Sequence, residues 1–177
     1  QAALAEAQKN EAAAKRGGVD TLPYVLALND LGRAYQALGR YNEAARAFKQ
    51  VVDTLKKNVP PTDPKLIQSN ANLAKVYLLL GRYDEAEEMF KQARDATERQ
   101  SGPGKALATL TMNMGDVYRF QARYDEAEAQ YKKALEMAEQ TAGSNSVEVA
   151  DILNNLTKIY EDQGRFTEAE EALRRAR

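Results

Sequence analysis

Hydrophobic residues recur along most of this chain at steps of three and four positions, the spacing that places side chains on one face of an α-helix. Leu28, Leu31, Tyr35 and Leu38 form the first clear stripe of this kind. Gly39 follows, and another stripe with the same spacing begins a few residues later. The pattern therefore predicts pairs of amphipathic helices that are joined by tight turns.

One segment of this pattern recurs four times. Each copy contains a tyrosine in the first predicted helix, an arginine in the turn, and a Glu-Ala pair in the second helix. The tyrosines are Tyr35, Tyr77, Tyr118 and Tyr160, which are 42, 41 and 42 residues apart. A fixed period of this size predicts a solenoid of stacked units, with the apolar core distributed along the stack.

Residues that interrupt helices separate the copies at 58–64, 101–104 and 142–146. The first copy should contain a helix that ends near Leu38 and a second helix that starts near Tyr41. In the other copies, first helices are predicted at about 65–80, 105–121 and 147–163, and second helices at about 83–99, 124–140 and 166–176. We expect one solenoid over 1–177, with repeats at 21–59, 65–100, 105–141 and 146–177.

Residues 1–16 consist mainly of strong helix formers, and Gly17-Gly18 should end the helix that they predict. One interpretation of 1–18 is a cap or partial repeat against the first full repeat. The other is a rigid helical linker, because Glu11-Ala-Ala-Ala-Lys15 matches sequences of that type. The chain begins with Gln1 rather than Met, so we expect a trimmed or processed N-terminus, with which a removed signal peptide is compatible.

The repeated segment resembles the tetratricopeptide repeat, a helix–turn–helix unit. In the first copy Leu31-Gly-Arg-Ala-Tyr35, Gly39-Arg-Tyr41 and Glu43-Ala44 carry the resemblance, and three further copies match in phase. That family usually repeats at about 34 residues. The longer step, with Asp63-Pro64 before a first helix, resembles the kinesin-light-chain-like subclass, although the His-Pro entry common there is absent. The resemblance implies an all-α, right-handed α-solenoid of four units.

Residues that recur at fixed positions have a packing explanation. Small residues should lie where paired helices cross, because a larger side chain there would cost about 1–3 kcal/mol of overpacking. A large apolar residue should fill the space between repeats, and the turn arginine should pack its stem on the aromatic residue that follows it. The small residues are Ala44, Ala86, Ala127 and Ala169 on the second helices with Gly32, Ala74, Gly115 and Thr157 on the first helices. The large residues are Phe48, Phe90, Tyr131 and Leu173. The turn arginines are Arg40, Arg82, Arg123 and Arg165.

The composition argues against several functions. The chain has no histidine or cysteine, so the commonest general base, nucleophile and metal ligands are missing. The net charge of −1 provides no basic surface for phosphate backbones, and no apolar run of about 18 residues could cross a membrane. We therefore expect no enzyme, cofactor, metal site, nucleic-acid partner or membrane insertion.

The resemblance implies that the first helices line a concave groove. Residues at steps of four, three and four on the exposed side of each first helix should then point into it. The candidate groove residues are Asn29, Arg33, Asn72, Lys75, Leu79, Met112, Asn113, Asp116, Phe120, Asn154, Asn155 and Lys158; the same spacing adds Leu26, Gln68, Thr109 and Asp151 near the helix starts.

Two features of this set suggest peptide binding. An asparagine amide donates and accepts hydrogen bonds, so a row of asparagines can pair with the backbone of an extended peptide, as the resemblance also implies. The alternative is that Asn72, Asn113 and Asn155 bond locally to a neighbouring helix. Leu79, Met112 and Phe120 are apolar, and we expect them to form one shared pocket for a large apolar side chain.

The sequence thus predicts a non-catalytic scaffold or adaptor that binds an extended peptide or a helix of a partner protein in the groove. The alternative is a self-assembly module, or an intramolecular regulatory module of a larger protein, that packs through the solenoid ends. For that alternative, the apolar face of Ala169, Leu173 and Ala176 predicts weak self-association through 166–177. The expected location is the cytoplasm.

Overall fold

The computed structural model describes residues 2–176 of the 177-residue chain. Gln1 and Arg177, which belong to the predicted N-terminal helix and last repeat, lie outside the described residues. All regular elements between 2 and 176 are α-helices: α1 Ala2–Arg16, α2 Leu22–Ala37, α3 Tyr41–Asn58, α4 Pro64–Leu79, α5 Tyr83–Ser101, α6 Lys105–Phe120, α7 Tyr124–Ala142, α8 Val147–Asp162 and α9 Phe166–Arg175.

The helices form two compact units. The first unit extends to Ala93 and contains α1 to α4 with the N-terminal part of α5. The second begins at Arg94 and contains the remainder of α5 with α6 to α9. Within the units, helices that follow one another in the chain pack together, as α2 does with α3 and α6 with α7. The all-α, helix–turn–helix architecture that the periodicity predicted is confirmed.

Two of the first helices begin at residues that cap them. At α4, the Asp63 carboxylate accepts a hydrogen bond of 2.8 Å from the backbone N–H of Lys65, and Pro64 occupies the first turn. At α8, the Ser146 hydroxyl accepts one of 3.4 Å from the backbone N–H of Val149. Both caps satisfy a backbone donor that has no partner inside the helix.

The turn inside each repeat places one residue in the left-handed backbone region. Gly39, Gly81 and Gly164 have φ values of 70°, 71° and 71°. Glycine adopts this conformation at little steric cost. The third repeat has Ala122 at this position, with φ 58°, so a side chain is held there where the other repeats have none.

In the first and third repeats, the large residue of the second helix packs against the small residue of the first helix. Phe48 and Tyr131 are fully buried, and a Cβ atom added to Gly32 or Gly115 would lie 2.7 Å from a carbon of the Phe48 or Tyr131 ring. Leu173, at the equivalent position of the last repeat, is 39% exposed. The packing explanation for these positions therefore holds for the first and third repeats, whereas Leu173 lies at the surface.

Helix α1 packs on α2. Ala7 is buried, and the Gln8 side-chain amide donates a hydrogen bond of 3.3 Å to the Tyr35 hydroxyl. Burial, and then the Glu11 carboxylate, raise the pKa of Tyr24 on α2. The first described residues thus contact the first repeat through small and polar side chains.

Candidate binding surfaces

The predicted groove residues lie on α2, α4, α6 and α8, the first helices of the four repeats. One of them, Asn113, is buried, with 8% of its surface exposed, whereas the spacing predicted an exposed side chain. The others reach solvent: Arg33, Lys75, Leu79, Phe120, Asn154 and Lys158 are exposed, and Asn29, Asn72, Met112, Asp116 and Asn155 are half-buried.

The side-chain amide of Asn72 forms hydrogen bonds to two neighbouring residues, one through its nitrogen and one through its oxygen. Its Nδ2 donates to Oδ1 of Asn29 on α2 at 3.4 Å, and its Oδ1 accepts from Nε2 of Gln68 at 3.0 Å. The contact with Asn29 joins two successive first helices and is near the upper limit of hydrogen-bond length. Asn72 therefore makes the local hydrogen bond to a neighbouring helix that was the alternative to a bond with a peptide.

Three further predicted groove residues, Asp116, Asn155 and Lys158, have contacts within their own unit. The Asp116 carboxylate accepts a hydrogen bond of 2.5 Å from the Tyr131 hydroxyl, which anchors it to the core of the third repeat. Burial, and then Asp116, raise the pKa of Tyr131 far above its ordinary value. On α8, the Asn155 amide oxygen accepts a hydrogen bond of 3.1 Å from the Lys158 ammonium.

The three apolar candidates divide between the units. Leu79 belongs to the first unit and is 52% exposed, whereas Met112 and Phe120 belong to the second. Phe120 is 49% exposed, and the Arg119 guanidinium lies 4.6 Å from its ring centroid. Met112 lines a cavity that does not include Phe120, because the two residues are about two helical turns apart.

The cavity at Met112 has a volume of about 130 Å³ and lies between α6 and α8, over the end of α7. Met112, Ala108, Ala138 and Ile152 supply apolar surface. Lys105 and Glu148, which also line the cavity, form an ion pair between α6 and α8. The predicted groove residues Thr109 and Asp151 complete the lining together with Thr141 and Ala142.

The first unit has a pocket of about 230 Å³ at the equivalent place, between α2 and α4 over the end of α3. Asn29 stands there in place of Met112, Leu26 in place of Thr109, and Gln68 in place of Asp151. The first-helix spacing identified these residues. It missed the contribution of the second helices, Leu55 and Ala138, whose equivalence the repeat alignment reveals.

Family models described as tetratricopeptide repeat match residues 25–64, 65–140 and 105–177. This chain belongs to the tetratricopeptide repeat family. Tetratricopeptide repeat (TPR) proteins generally act as protein-interaction scaffolds. A search of curated protein sequences finds no significant match.

Several solved structures share this fold. A putative kinesin light chain from Podosopora anserina with nearly identical TPR-like repeats has a TM-score of 0.87 and 21% identity over 98% of this chain and 82% of its own. BtubC (BKLC) from P. vanneervenii has a TM-score of 0.79 and 22% identity over 87% of this chain. The match spans 62% of BtubC. MamA has a TM-score of 0.62 and 18% identity over 86% of this chain and 75% of its own. The assignment to TPR repeats of the kinesin-light-chain-like type is confirmed at the level of the fold.

No helix between residues 2 and 176 is long and apolar enough to cross a membrane. The same residues contain no group of three or more acidic side chains that could hold a metal ion.

Each TPR turn contains the same cluster of contacts, seen for example in the second repeat. The Arg82 backbone N–H donates to the Tyr77 carbonyl at 2.9 Å, and the guanidinium lies 4.3 Å from the Tyr77 ring centroid. Arg82 Nε also donates to the Glu85 carboxylate at 2.6 Å. The turn thus folds the guanidinium back over the tyrosine five positions earlier. The contact of the arginine stem with the following aromatic residue stays a prediction.

A cluster of polar side chains joins the third and fourth TPR repeats. The Glu128 carboxylate accepts hydrogen bonds from Arg165 Nη1 at 2.6 Å and from the Tyr160 hydroxyl at 3.1 Å, and it pairs with the Lys132 ammonium at 2.6 Å. Arg165, and then Lys132 and Tyr160, outweigh the effect of burial and lower the pKa of Glu128 to about 2. The Glu128 side chain is only 13% exposed.

Proposed function

We propose that this protein is a TPR scaffold that binds an extended peptide of a partner protein along its first helices. In each unit, the site for a peptide side chain is the pocket between successive first helices, which is the pocket between α2 and α4 in the first unit and the cavity between α6 and α8 in the second. The observation that carries the proposal is the presence, in both units, of a pocket at equivalent repeat positions between successive first helices. Each pocket lies beside residues with exposed polar groups, as peptide recognition requires.

The cavity of the second unit fits an apolar side chain. Its volume of about 130 Å³ is close to that of a cavity of about 150 Å³ that takes up benzene. Met112 and Ile152 supply apolar contacts, and methionine adapts its shape to different partners. The Lys105–Glu148 ion pair lies at the same cavity and provides charged groups of both signs for the adjoining peptide residues.

The pocket of the first unit favours a side chain with both apolar and amide-bonding groups. Leu26, Val51 and Leu55 supply apolar surface, whereas Asn29 and Gln68 supply amides. Asn72 bonds to both of these amides, with a long contact to Asn29. A peptide backbone that offers shorter hydrogen bonds can replace that contact, because an amide donates and accepts equally well.

A peptide selection tests the proposal. A random peptide library is selected on the wild-type protein, and the selected peptides are then measured against Met112→Glu and Leu26→Glu. Each substitution places a charge in one pocket, so we expect affinity to fall by about tenfold or more. Lys133→Glu, on the exposed face of α7, is the matched control.

The outcomes of that selection separate groove binding from other modes. If the selected peptides bind both pocket variants as tightly as the wild type, the proposal is wrong. Thermal unfolding of each variant shows whether a lost affinity reflects a lost fold. Because Leu26 is 51% exposed, Leu26→Glu should retain the fold even if Met112→Glu does not.

A second candidate function is self-association through α9. Phe166 is 68% exposed and Leu173 is 39% exposed, although the residues equivalent to Leu173 in the other repeats are fully buried. Sedimentation of the wild type over a concentration series should then show weak association that Phe166→Glu abolishes. A strictly monomeric wild type near millimolar concentration would exclude this function.

A further inference from the structure

In three repeats, a glutamate directly follows the recurring Glu-Ala pair of the second helix, as Glu87, Glu128 and Glu170, whereas the first repeat has Ala45 at this position. In the second unit Glu128 is the acceptor for three donors: Arg165, Lys132 and Tyr160. The first unit keeps the three equivalent donors, which are Arg82, Lys49 and Tyr77. It lacks only the carboxylate.

These three donors surround a pocket of about 590 Å³ that Ala45 also lines. The Tyr77 residue is 6% exposed, and among residues 2–176 its hydroxyl has no hydrogen-bond partner. Arg82 donates hydrogen bonds to Glu85 through Nε and Nη2. Among residues 2–176, no acceptor contacts its Nη1. In Arg165, the equivalent Nη1 atom donates to Glu128. Lys49 turns instead to Asp53, at 2.6 Å.

We propose that this pocket binds a glutamate or aspartate side chain of a partner protein, whose carboxylate takes the place that Glu128 occupies in the second unit. Arg82 Nη1 and the Tyr77 hydroxyl would donate to it, as their counterparts do to Glu128. Lys49 is 59% exposed and can turn from Asp53 to the ligand, since Lys132 makes the equivalent contact. This site lies on α3, α4 and the following turn, and it is distinct from the pocket between α2 and α4.

The other charges at the pocket favour an acidic ligand. Arg46 lines it at a position where the second unit has Ala129, which adds a positive charge. Glu43 and Glu85 also line it, but Arg40 and Arg82 already bind them. The second unit shows that such a pair does not prevent binding, because Arg165 holds Glu168 and Glu128 at the same time.

Titration with short peptides, followed by NMR of the backbone amides, tests the proposal. The probe is acetyl-Gly-Glu-Glu-Gly-amide, and its Gln-Gln analogue is the control. We expect the acidic peptide to shift the amide signals of Ala45, Lys49 and Arg82, and the neutral analogue to leave them unchanged. Signals that respond equally to both peptides, or that do not respond, would overturn the proposal.

Substitutions then locate the ligand. Ala45→Glu supplies the missing carboxylate from within and should weaken binding of the acidic peptide by about tenfold or more. Gln50→Glu, an exposed position on α3, adds the same charge outside the pocket and should leave binding nearly unchanged. Equal losses in both variants would mean a non-specific charge effect and would contradict the site.

Two further variants keep the test decisive if Ala45→Glu disturbs the fold. Tyr77→Phe removes only a hydroxyl without a partner, so it should preserve stability and weaken the acidic peptide several-fold. Glu128→Ala should create a second binding position at Lys132, Tyr160 and Arg165. Inorganic phosphate is titrated in parallel, and tighter binding of phosphate than of the peptide at the same residues would overturn the assignment to a carboxylate.

Discussion

The Tyr131 ring lies against the backbone of Gly115, so closely that a Cβ atom added to this glycine would be 2.7 Å from Cε1 of the ring. Tyr131 is fully buried and its hydroxyl is bound to Asp116, so the ring cannot move aside without loss of that bond. The third repeat therefore depends on the absence of a side chain at one position.

Gly115→Ala should destabilise the protein. Overpacking costs about 1–3 kcal/mol, which outweighs the gain of about 1 kcal/mol that alanine brings to a helix interior. Urea unfolding measures the net loss. Gly104→Ala is the control, because a Cβ atom there meets no neighbour within 4 Å; equal effects at both glycines would contradict the packing argument.

Ala122→Gly should stabilise the protein. Ala122 has φ 58°, a conformation that costs a residue with a side chain about 1 kcal/mol or more. Glycine removes this strain. Because glycine also gives the unfolded chain more conformational entropy, part of the gain in stability is offset, and a net stabilisation of roughly 0.5 kcal/mol remains. Ala129→Gly, at an exposed position of α7, should instead destabilise by about 1 kcal/mol. Thermal unfolding of both variants checks the opposite signs.

Acid should remove the contribution of Glu128 to stability. Its pKa falls from an ordinary 4.5 to about 2 in the folded protein, so the contribution is fully present above pH 4.5. As pH falls from there through about 2, it is lost progressively, and linkage sets an upper limit of about 3 kcal/mol. The free energy of unfolding, measured against pH for wild type and Glu128→Gln, should converge at low pH. A constant difference down to pH 2 would contradict the role of the carboxylate.

Phe90→Ala should cost far more stability than Leu173→Ala. Phe90 is fully buried, and truncation of such a residue costs about 3–5 kcal/mol. Leu173 occupies the equivalent position but is 39% exposed, so it loses less burial and leaves a smaller cavity. Chemical denaturation of both variants checks the order. Similar losses would show that Leu173 packs more tightly than its exposure indicates.

Periodicity predicted the fold because each helix repeats the same apolar spacing. The predicted second helix at 83–99, for example, corresponds to α5 at Tyr83–Ser101. The spacing predicted burial less reliably for residues at the edge of the buried face of a helix. Asn113 lies one position from the fully buried Met114, and a helix with neighbours on several sides buries a wider arc than a single stripe.

Features that depend on two helices at once could not be predicted from one helix pattern. Spacing placed Met112 with Phe120, although the cavity at Met112 is completed by residues of α7 and α8. The absence of a glutamate at Ala45 was visible in the alignment of the repeats. Its meaning required the three donors around it, which come from separate parts of the chain.

The turn cluster of each repeat also bears on how the chain folds. All of its contacts, from Tyr77 to Glu85 in the second repeat, lie within nine residues of sequence. Contacts between residues this near in sequence form quickly, because closing the short loop between them costs little chain entropy. Each turn can therefore initiate its own helix pair, so hydrogen exchange during refolding should show early protection at the four turns at the same time, rather than a front that advances from one end.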